Sequence, residues 1–324
     1  MTPNPIVGAV IVYKGTIIGE GYHKRLGEAH AEINAINSVE DKALLSQSTI
    51  YVSLEPCHHY GKTPPCVDSL LRHKFEKVVI SVTDPNPKVM GKSIQKLKSN
   101  GIEVVTHILE EEGRRQNAFF LSNFERKRPY IVLKYAQSAN QIFGVSDRQV
   151  WISNVYTRRL VHRWRSELAA IIVATNTALA DNPKLDNRFY FGKAPVRILL
   201  DRQLRVPITA HLLSDDRPTI IVTEKAKPLN AGNNCEYLNL PFDNQLLTQL
   251  LAVLYEKRLD GLLVEGGAGL HQSFIKENLW DEARILTGPA LITGDNLIPA
   301  PRLSGKLVNR FTIGDNQLDI LRRI

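Results

Sequence analysis

His30 and Glu32 stand two residues apart in the stretch HAEINA, and Cys57 and Cys66 follow in LEPCHHYGKTPPC. One imidazole and two thiolates are three ligands for a tetrahedral zinc ion that keeps its fourth position for water. Zinc in such a site lowers the pKa of that water to about 7, so hydroxide is available at neutral pH. The hydroxide still needs a group to take its proton and hand it to a substrate. A carboxylate beside the metal but not on it can do so, and Glu32 is the candidate. Residues two apart on a helix lie on nearly opposite faces. His30 and Glu32 therefore converge on one metal only if the helix starts near Ala31 and the metal lies across its end.

The elements around these residues fit that requirement. IVGAVIVY and TIIGEGYH, joined at Lys14-Gly15, read as a hairpin. Ile33, Ile36 and Val39 recur every third residue, which predicts a helix from Ala31. STIYVSLEP is a strand stopped by Pro56, so Cys57 follows a strand end. Pro64 and Pro65 precede a helical pattern, so Cys66 heads a helix whose positive end favours a thiolate. KVVISV and IEVVTHI are further strands, with a helix over SIQKLKSN between them that ends at Gly101. Strands alternate with helices, which predicts an α/β sandwich.

His-X-Glu followed by Pro-Cys and a second Cys matches the signature of zinc deaminases. That pattern usually places two residues between the cysteines; here eight intervene. His58 and His59 in that loop are spare nitrogen ligands, and a fourth protein ligand from either would make the zinc structural. A zinc deaminase acting on bases in nucleic acid is another reading. The net charge is +8, but residues 1–125 hold 14 basic and 14 acidic side chains, and the rest of the chain holds 27 against 19. The half with the His/Cys motif is neutral and lacks the basic stripe expected of a polynucleotide binder.

With 324 residues the chain is long enough for two domains. Three cysteines suit a reducing cytosol rather than a disulfide framework. No apolar run approaches a membrane span, and MTPNPIVGAV has no signal-peptide pattern. A cytoplasmic protein is the expectation. The charged segment 123–129, ending in Pro129, reads as a linker. Beyond it YIVLKYA, AAIIVAT, VRILLD, TIIVT and GLLVEGG are strand-length apolar runs, the pattern of strands buried on both faces. Helical stretches over 154–165 and 244–258 make this a second α/β domain. In LLVEGGAGLHQS, glycines lie between a buried strand and a helix, where backbone N–H groups can meet a phosphate.

TPNPIVGAVIV, GEGYH, HAE, LEPCHHYGKTPPC and DPNPKVMGKSIQKLKSNGIEV resemble the deaminase half of the bifunctional riboflavin-biosynthesis (RibD) family. SNVYTRRLVHRWRSELAAIIVATNTALADNPKLDNR, RILLDRQLRVP and LLVEGGAGL resemble its reductase half. The longer cysteine spacing is a feature of that family. The resemblance implies a cytidine-deaminase-like α/β/α domain over 1–124 and a dihydrofolate-reductase-like α/β domain over 129–324. It implies Zn2+ on His30, Cys57 and Cys66, with Glu32 as proton shuttle. Asn4 and His23 would face the pyrimidine, and His59, Lys62, Asp84 and Asn86 would hold the ribose phosphate. In the second domain it implies NADPH at Ala136, Trp151, Thr177, Asp181, Arg202 and the loop Gly267, Ala268, Gly269, Leu270, His271, Gln272 and Ser273. Substrate would meet Gln149, Arg165, Leu185, Arg188 and Glu265. Small phosphorylated pyrimidines are the implied partners, with no nucleic acid or membrane, in a homo-oligomer.

Three departures from the family are visible. Ser-Ala-Asn-Gln at 138–141 replaces the usual Ser-Leu-Asp-Gly, and loss of that glycine is expected to alter the loop beside the nicotinamide. The loop that follows, IFGVSDRQV, lacks the usual Ser-Gly-Glu. The family carries a helix before TPNP, and here Met1 leaves no room for it: either the start is misassigned or truncated, or one face of the first sheet is less covered and Asn4 is expected to be less well held. A deaminase whose reductase half is inactive is therefore also a reading.

Overall fold

The computed structural model describes residues 5–25, 27–60, 64–146, 148–229 and 232–324. They form two compact units that divide between Lys127 and Arg128. No helix among the described residues is long and apolar enough to cross a membrane.

The first unit begins with β1 (Gly8–Tyr13) and β2 (Thr16–Tyr22), paired antiparallel. Lys14 and Gly15 both take positive φ, 45° and 80°, which a two-residue type I′ turn requires. Then come α1 (Ala31–Ser38), a 3-10 turn (Lys42–Gln47), β3 (Thr49–Leu54), α2 (Cys66–Arg72), β4 (Lys77–Val82), α3 (Lys92–Ser99), β5 (Glu103–Thr106), α4 (Glu110–Gln116) and α5 (Ala118–Arg126). The five strands run in the order β2-β1-β3-β4-β5, with β3, β4 and β5 parallel. Ala35 and Ile36 of α1, Leu70 of α2 and Leu97 of α3 share one core with Ile11, Ile50, Val52 and Ile80 of the sheet. α1 comes unusually close to β2. A Cβ built on Gly21 would lie 2.3 Å from Ala35 N and 2.6 Å from Ala31 O, and one on Gly19 would lie 2.7 Å from Ala35 O. At Gly21 helix backbone touches strand backbone with no side chain between them, and at Gly19 the Val39 and Ser38 side chains also press on the strand.

Segment 123–129 is not the linker its charges suggested. α5 continues to Arg126 because Phe120, Leu121 and Phe124 pack against Leu54 and Val82, leaving the charged residues on its outer side. Lys127, with φ 51°, ends the helix, and Arg128 is already buried. Its guanidinium donates to both carboxylate oxygens of Asp281, at 2.6 and 2.8 Å, and the N–H of Ile131 donates to the same carboxylate at 2.8 Å.

The second unit contains β6 (Tyr130–Gln137), β7 (Ile142–Val145), α6 (Val155–Glu167), β8 (Ala170–Ala174), α7 (Thr175–Asp181), β9 (Val196–Leu200), α8 (His211–Ser214), β10 (Thr219–Thr223), β11 (Cys235–Asn239), α9 (Leu246–Glu256), β12 (Gly261–Val264), α10 (Ala268–Lys276), β13 (Glu282–Thr287), β14 (Leu297–Pro299), β15 (Lys306–Ile313) and β16 (Asn316–Arg322). Nine strands form one sheet in the order β11-β10-β9-β8-β12-β6-β13-β16-β15. It is parallel from β11 to β13 and closes with the antiparallel β16 and β15. The apolar runs β8, β9, β10 and β12 are buried throughout or nearly so.

The turn from β6 to β7 contains the Ser-Ala-Asn-Gln departure. Gln141 takes φ 59°, the left-handed conformation that glycine adopts without penalty. Ser138 N–H donates to Ile142 O at 2.9 Å, and Ile142 N–H donates to Ser138 Oγ at 3.0 Å. The turn therefore closes without its glycine, at a cost of roughly 1–2 kcal/mol for a side chain at positive φ.

Arg128 and Asp281 are both buried, so breaking the pair leaves a charge and a backbone donor uncompensated. Asp281→Ala should destabilise the second unit by about 3–5 kcal/mol in urea unfolding. A loss under about 1 kcal/mol would show that the pair contributes little.

Candidate active sites

In the first unit three elements deliver three ligand atoms to one point. His30 is the N-cap of α1, Cys57 lies three residues beyond β3, and Cys66 opens α2. His30 Nδ1 is 3.5 Å from Cys57 Sγ and 3.2 Å from Cys66 Sγ, and the three ligand atoms lie within 4.8 Å of one another. Tetrahedral zinc with ordinary Zn–N and Zn–S bonds sets N and S about 3.5 Å apart, so the spacing fits the ion. The charges fit as well. The Cys57 thiol is pulled down to about 4, first by its hydrogen bond with Cys66 and also by His30 and the Cys66 N–H, which donates to Cys57 Sγ at 3.1 Å. The same contact with Cys57, together with burial, pushes the Cys66 thiol up. A divalent ion between the two sulfurs would favour the thiolate form of both.

Glu32, on the first turn of α1, is buried, and burial raises its carboxyl above the ordinary range. It lines a cavity of about 180 Å³ together with His23, His30, Cys57, His59, Asp84 and Asn86. His23 packs edge-on against His30 with ring centroids 5.2 Å apart, and His23 Nδ1 lies 3.2 Å from Ala29 O. Asp84 Oδ1 accepts from the N–H of Asn86 at 2.8 Å, and burial pushes its carboxyl up to about 6. Asn4 and Lys62 lie outside the described residues. Pro5 and Val7, which follow Asn4, also line the cavity. Asn117 holds the segment before β1 in place: its side chain accepts from Ile6 N–H at 2.7 Å and donates to Ile6 O at 3.0 Å.

In the second unit Arg165 of α6 meets Glu265, just past β12. Its Nε and Nη2 donate to the two carboxylate oxygens at 2.9 and 2.7 Å, and its Nη1 donates to Asp186 O at 2.9 Å. Lys134 of β6 lies 3.9 Å from the same carboxylate. Burial works to raise the Glu265 carboxyl, but Arg165 and Lys134 outweigh it and hold the group at about 2. Arg188 pairs with Asp186 at 2.5 Å and lies over the Phe189 ring. Leu185 is buried with φ 49°. His162, one helical turn before Arg165, is buried, with Nδ1 3.9 Å from Asp186 Oδ1. Burial, Arg165 and Arg188 hold its imidazole down at about 4.

The head of α10 is packed beneath and open above. A Cβ on Gly266 would meet Leu270 at 2.6 Å, whereas one on Gly269 would meet nothing within 4 Å. Gly267 N–H donates to Thr177 Oγ1 at 2.8 Å. The next N–H groups, at the positive end of a helix, suit an anion such as a dinucleotide phosphate. His271 does not face that opening. It is fully buried, its Nε2 lying 3.0 Å from Lys134 O and 3.1 Å from Val264 O. Trp151, Asp181 and Gln149 are exposed, and Trp151 carries the Arg158 guanidinium over its ring. Ala136 is half-buried in β6. Arg202 is engaged by Glu224 at 2.7 Å.

A family model described as the cytidine and deoxycytidylate deaminase zinc-binding region matches residues 1–82, and one described as the RibD C-terminal domain matches residues 129–311. The chain belongs to the RibD family. Riboflavin biosynthesis protein RibD of Aquifex aeolicus is 39% identical over 297 residues, covering 90% of this chain and 82% of the relative. RibD of Bacillus amyloliquefaciens is 38% identical over 300 residues, covering 90% and 80%. Among solved structures, the Thermotoga maritima diaminohydroxyphosphoribosylaminopyrimidine deaminase/5-amino-6-(5-phosphoribosylamino)uracil reductase superposes with TM-score 0.86 at 32% identity, over 100% of this chain and 93% of that one. RibD of Acinetobacter baumannii superposes at 0.84 with 31% identity, over 99% and 92%. Membership in RibD makes this a bifunctional deaminase and reductase of riboflavin biosynthesis, with Zn2+ and NADPH as its cofactors.

Sequence reasoning did not single out Glu55, Asn117, Lys134 or His162. Lys134 had a signal, as the one charge inside the apolar run YIVLKYA. Glu55 also had one, a carboxylate fixed between a strand end and Pro-Cys.

A carboxyl held at about 2, against 4.5 in the unfolded chain, stabilises the fold above pH 4.5, and that contribution is lost as pH falls toward 2. Urea stability should drop by on the order of 3 kcal/mol over that window through Glu265. Glu265→Gln should flatten this limb, and an unchanged slope in the variant would contradict the pairing.

Proposed function

We propose that the first unit hydrolyses the amino group of 2,5-diamino-6-(5-phosphoribosylamino)pyrimidin-4-one, releasing ammonia. The second unit then reduces the ribosyl group of the resulting 5-amino-6-(5-phosphoribosylamino)uracil to ribityl. The observation that carries the reading is the convergence of His30 Nδ1 and two sulfurs beside buried Glu32, in a cavity that Asp84 and Asn86 also line. Zinc, when bound to His30, Cys57 and Cys66, supplies an activated water. Glu32 takes that water's proton and delivers it to the pyrimidine, so that the amine leaves neutral. His23 contacts the ring. His59, Asp84 and Asn86 contact the ribose phosphate, an imidazole suiting phosphate and the Asp/Asn pair suiting hydroxyls.

NADPH, when bound, supplies the hydride for the second step. The head of α10 and Thr177 hold its phosphates, while Arg165, Arg188, Leu185 and Glu265 orient the sugar-phosphate substrate. Reduction by hydride needs alignment more than side-chain chemistry, and the intact 138–141 turn supports an active second unit. The neutral charge of the first 125 residues argues against nucleic acid as substrate. The protein works in the cytoplasm as a homo-oligomer.

Glu32→Gln should retain zinc by elemental analysis and lose ammonia release by at least about 100-fold. Robust ammonia release by that variant would reject the role of Glu32. Given the deaminated intermediate, the wild-type protein should oxidise one NADPH per ribityl product. Deamination without NADPH oxidation would identify the second unit as inactive.

A further inference from the structure

Glu55 is a buried carboxylate for which the chemistry above has no use. It lies between the end of β3 and Cys57 and lines the same cavity as Glu32. Its carboxylate faces backbone donors. Oε2 accepts from Gly91 N–H at 3.0 Å and from Asp84 N–H at 3.3 Å, and Oε1 accepts from Ile94 N–H at 3.5 Å. These donors bracket one segment, the loop 84–91 and the first turn of α3. The adjacent Pro56 fastens the same turn, because Ser93 Oγ donates to Pro56 O at 2.6 Å in a buried contact. Within the loop, Asp84 Oδ1 caps Asn86 N–H and Asn86 Oδ1 accepts from Lys88 N–H at 3.0 Å. Two consecutive residues of the strand-end turn, Glu55 and Pro56, thus carry the loop, while the next residue, Cys57, carries the metal site.

We propose that Glu55 is a positioning residue that sets the Asp84–Asn86 loop at a fixed distance from the metal site, and so governs affinity for the ribose-phosphate part of the substrate. The proposal rests on the reading that Asp84 and Asn86 contact that part. Both Glu55 oxygens are engaged by backbone N–H groups of that segment, so Glu55 acts through the loop. Its two oxygens must both accept, and one of them accepts twice, which an amide cannot reproduce: one of its two positions is a donor facing a donor.

The test is Glu55→Gln in the full-length zinc-loaded protein, with Asn86→Ala alongside. Glu55→Gln should raise the deamination KM at least about tenfold, with kcat changing less than about threefold and zinc content unchanged. Inhibition by ribose 5-phosphate should weaken in parallel, while inhibition by the free diaminopyrimidinone base should not. A structural role alone would move kcat, zinc content and both inhibitors together, and that outcome overturns the proposal. An unchanged KM in Glu55→Gln with a raised KM in Asn86→Ala overturns the role of Glu55 and leaves the loop's contact with substrate standing. An unchanged KM in Asn86→Ala overturns the loop assignment and the proposal with it.

Discussion

Gathering two thiols, an imidazole and a carboxylate into one half-buried place is unfavourable unless something positive arrives to share their charge. Everything in the first unit is arranged around that constraint. Among the described residues, the polar partners of the sulfurs are the His30 ring and the Cys66 N–H at the head of α2. The ligands are held instead by the stiffest features available, two helix starts and the turn after a central parallel strand. Glu32 stands on the same helix start as His30, so the proposed proton carrier and one proposed ligand share one rigid piece.

The second unit solves the opposite problem. There a carboxylate is given more positive charge than it needs, from Arg165 and Lys134, and neighbouring Asp186 draws in Arg188 and, at 3.6 Å, Arg217. The surplus suits a phosphorylated guest. His162, held neutral first by burial and then by Arg165 and Arg188, adds polarity to this corner without further charge. The two halves thus use the α/β plan in different ways, one to concentrate donors for a cation and the other to hold cations for an anion.

Much of this could be read from residue order. The start of α1 at Ala31 followed from the demand that His30 and Glu32 converge, and the buried strands announced themselves as short apolar runs. Other parts could not be read. β15 and β16 form a long hairpin whose strands are largely exposed or half-exposed, so no apolar run marks them. The charged segment 123–129 looked like a linker because composition does not reveal that its first half continues a helix with one face packed. His271 entered the cofactor loop by position, yet its ring points into the core; a glycine-rich motif tells where backbone is free, not where each side chain goes. Glu55 was hidden because its partners are backbone donors some thirty residues or more away, which leave no trace in sequence.

The bare contact between α1 and β2 reaches further than its size suggests. Side chains can rotate to absorb an error of half an ångström, but main chain pressed on main chain cannot. At Gly21 the helix bearing His30 and Glu32 is seated without any such cushion. The placement of His30 and Glu32 is thereby referenced to the β1–β2 hairpin. A single added methyl there would act like a shim under an instrument, tilting Glu32 relative to the His30, Cys57 and Cys66 cluster while leaving each of those side chains intact.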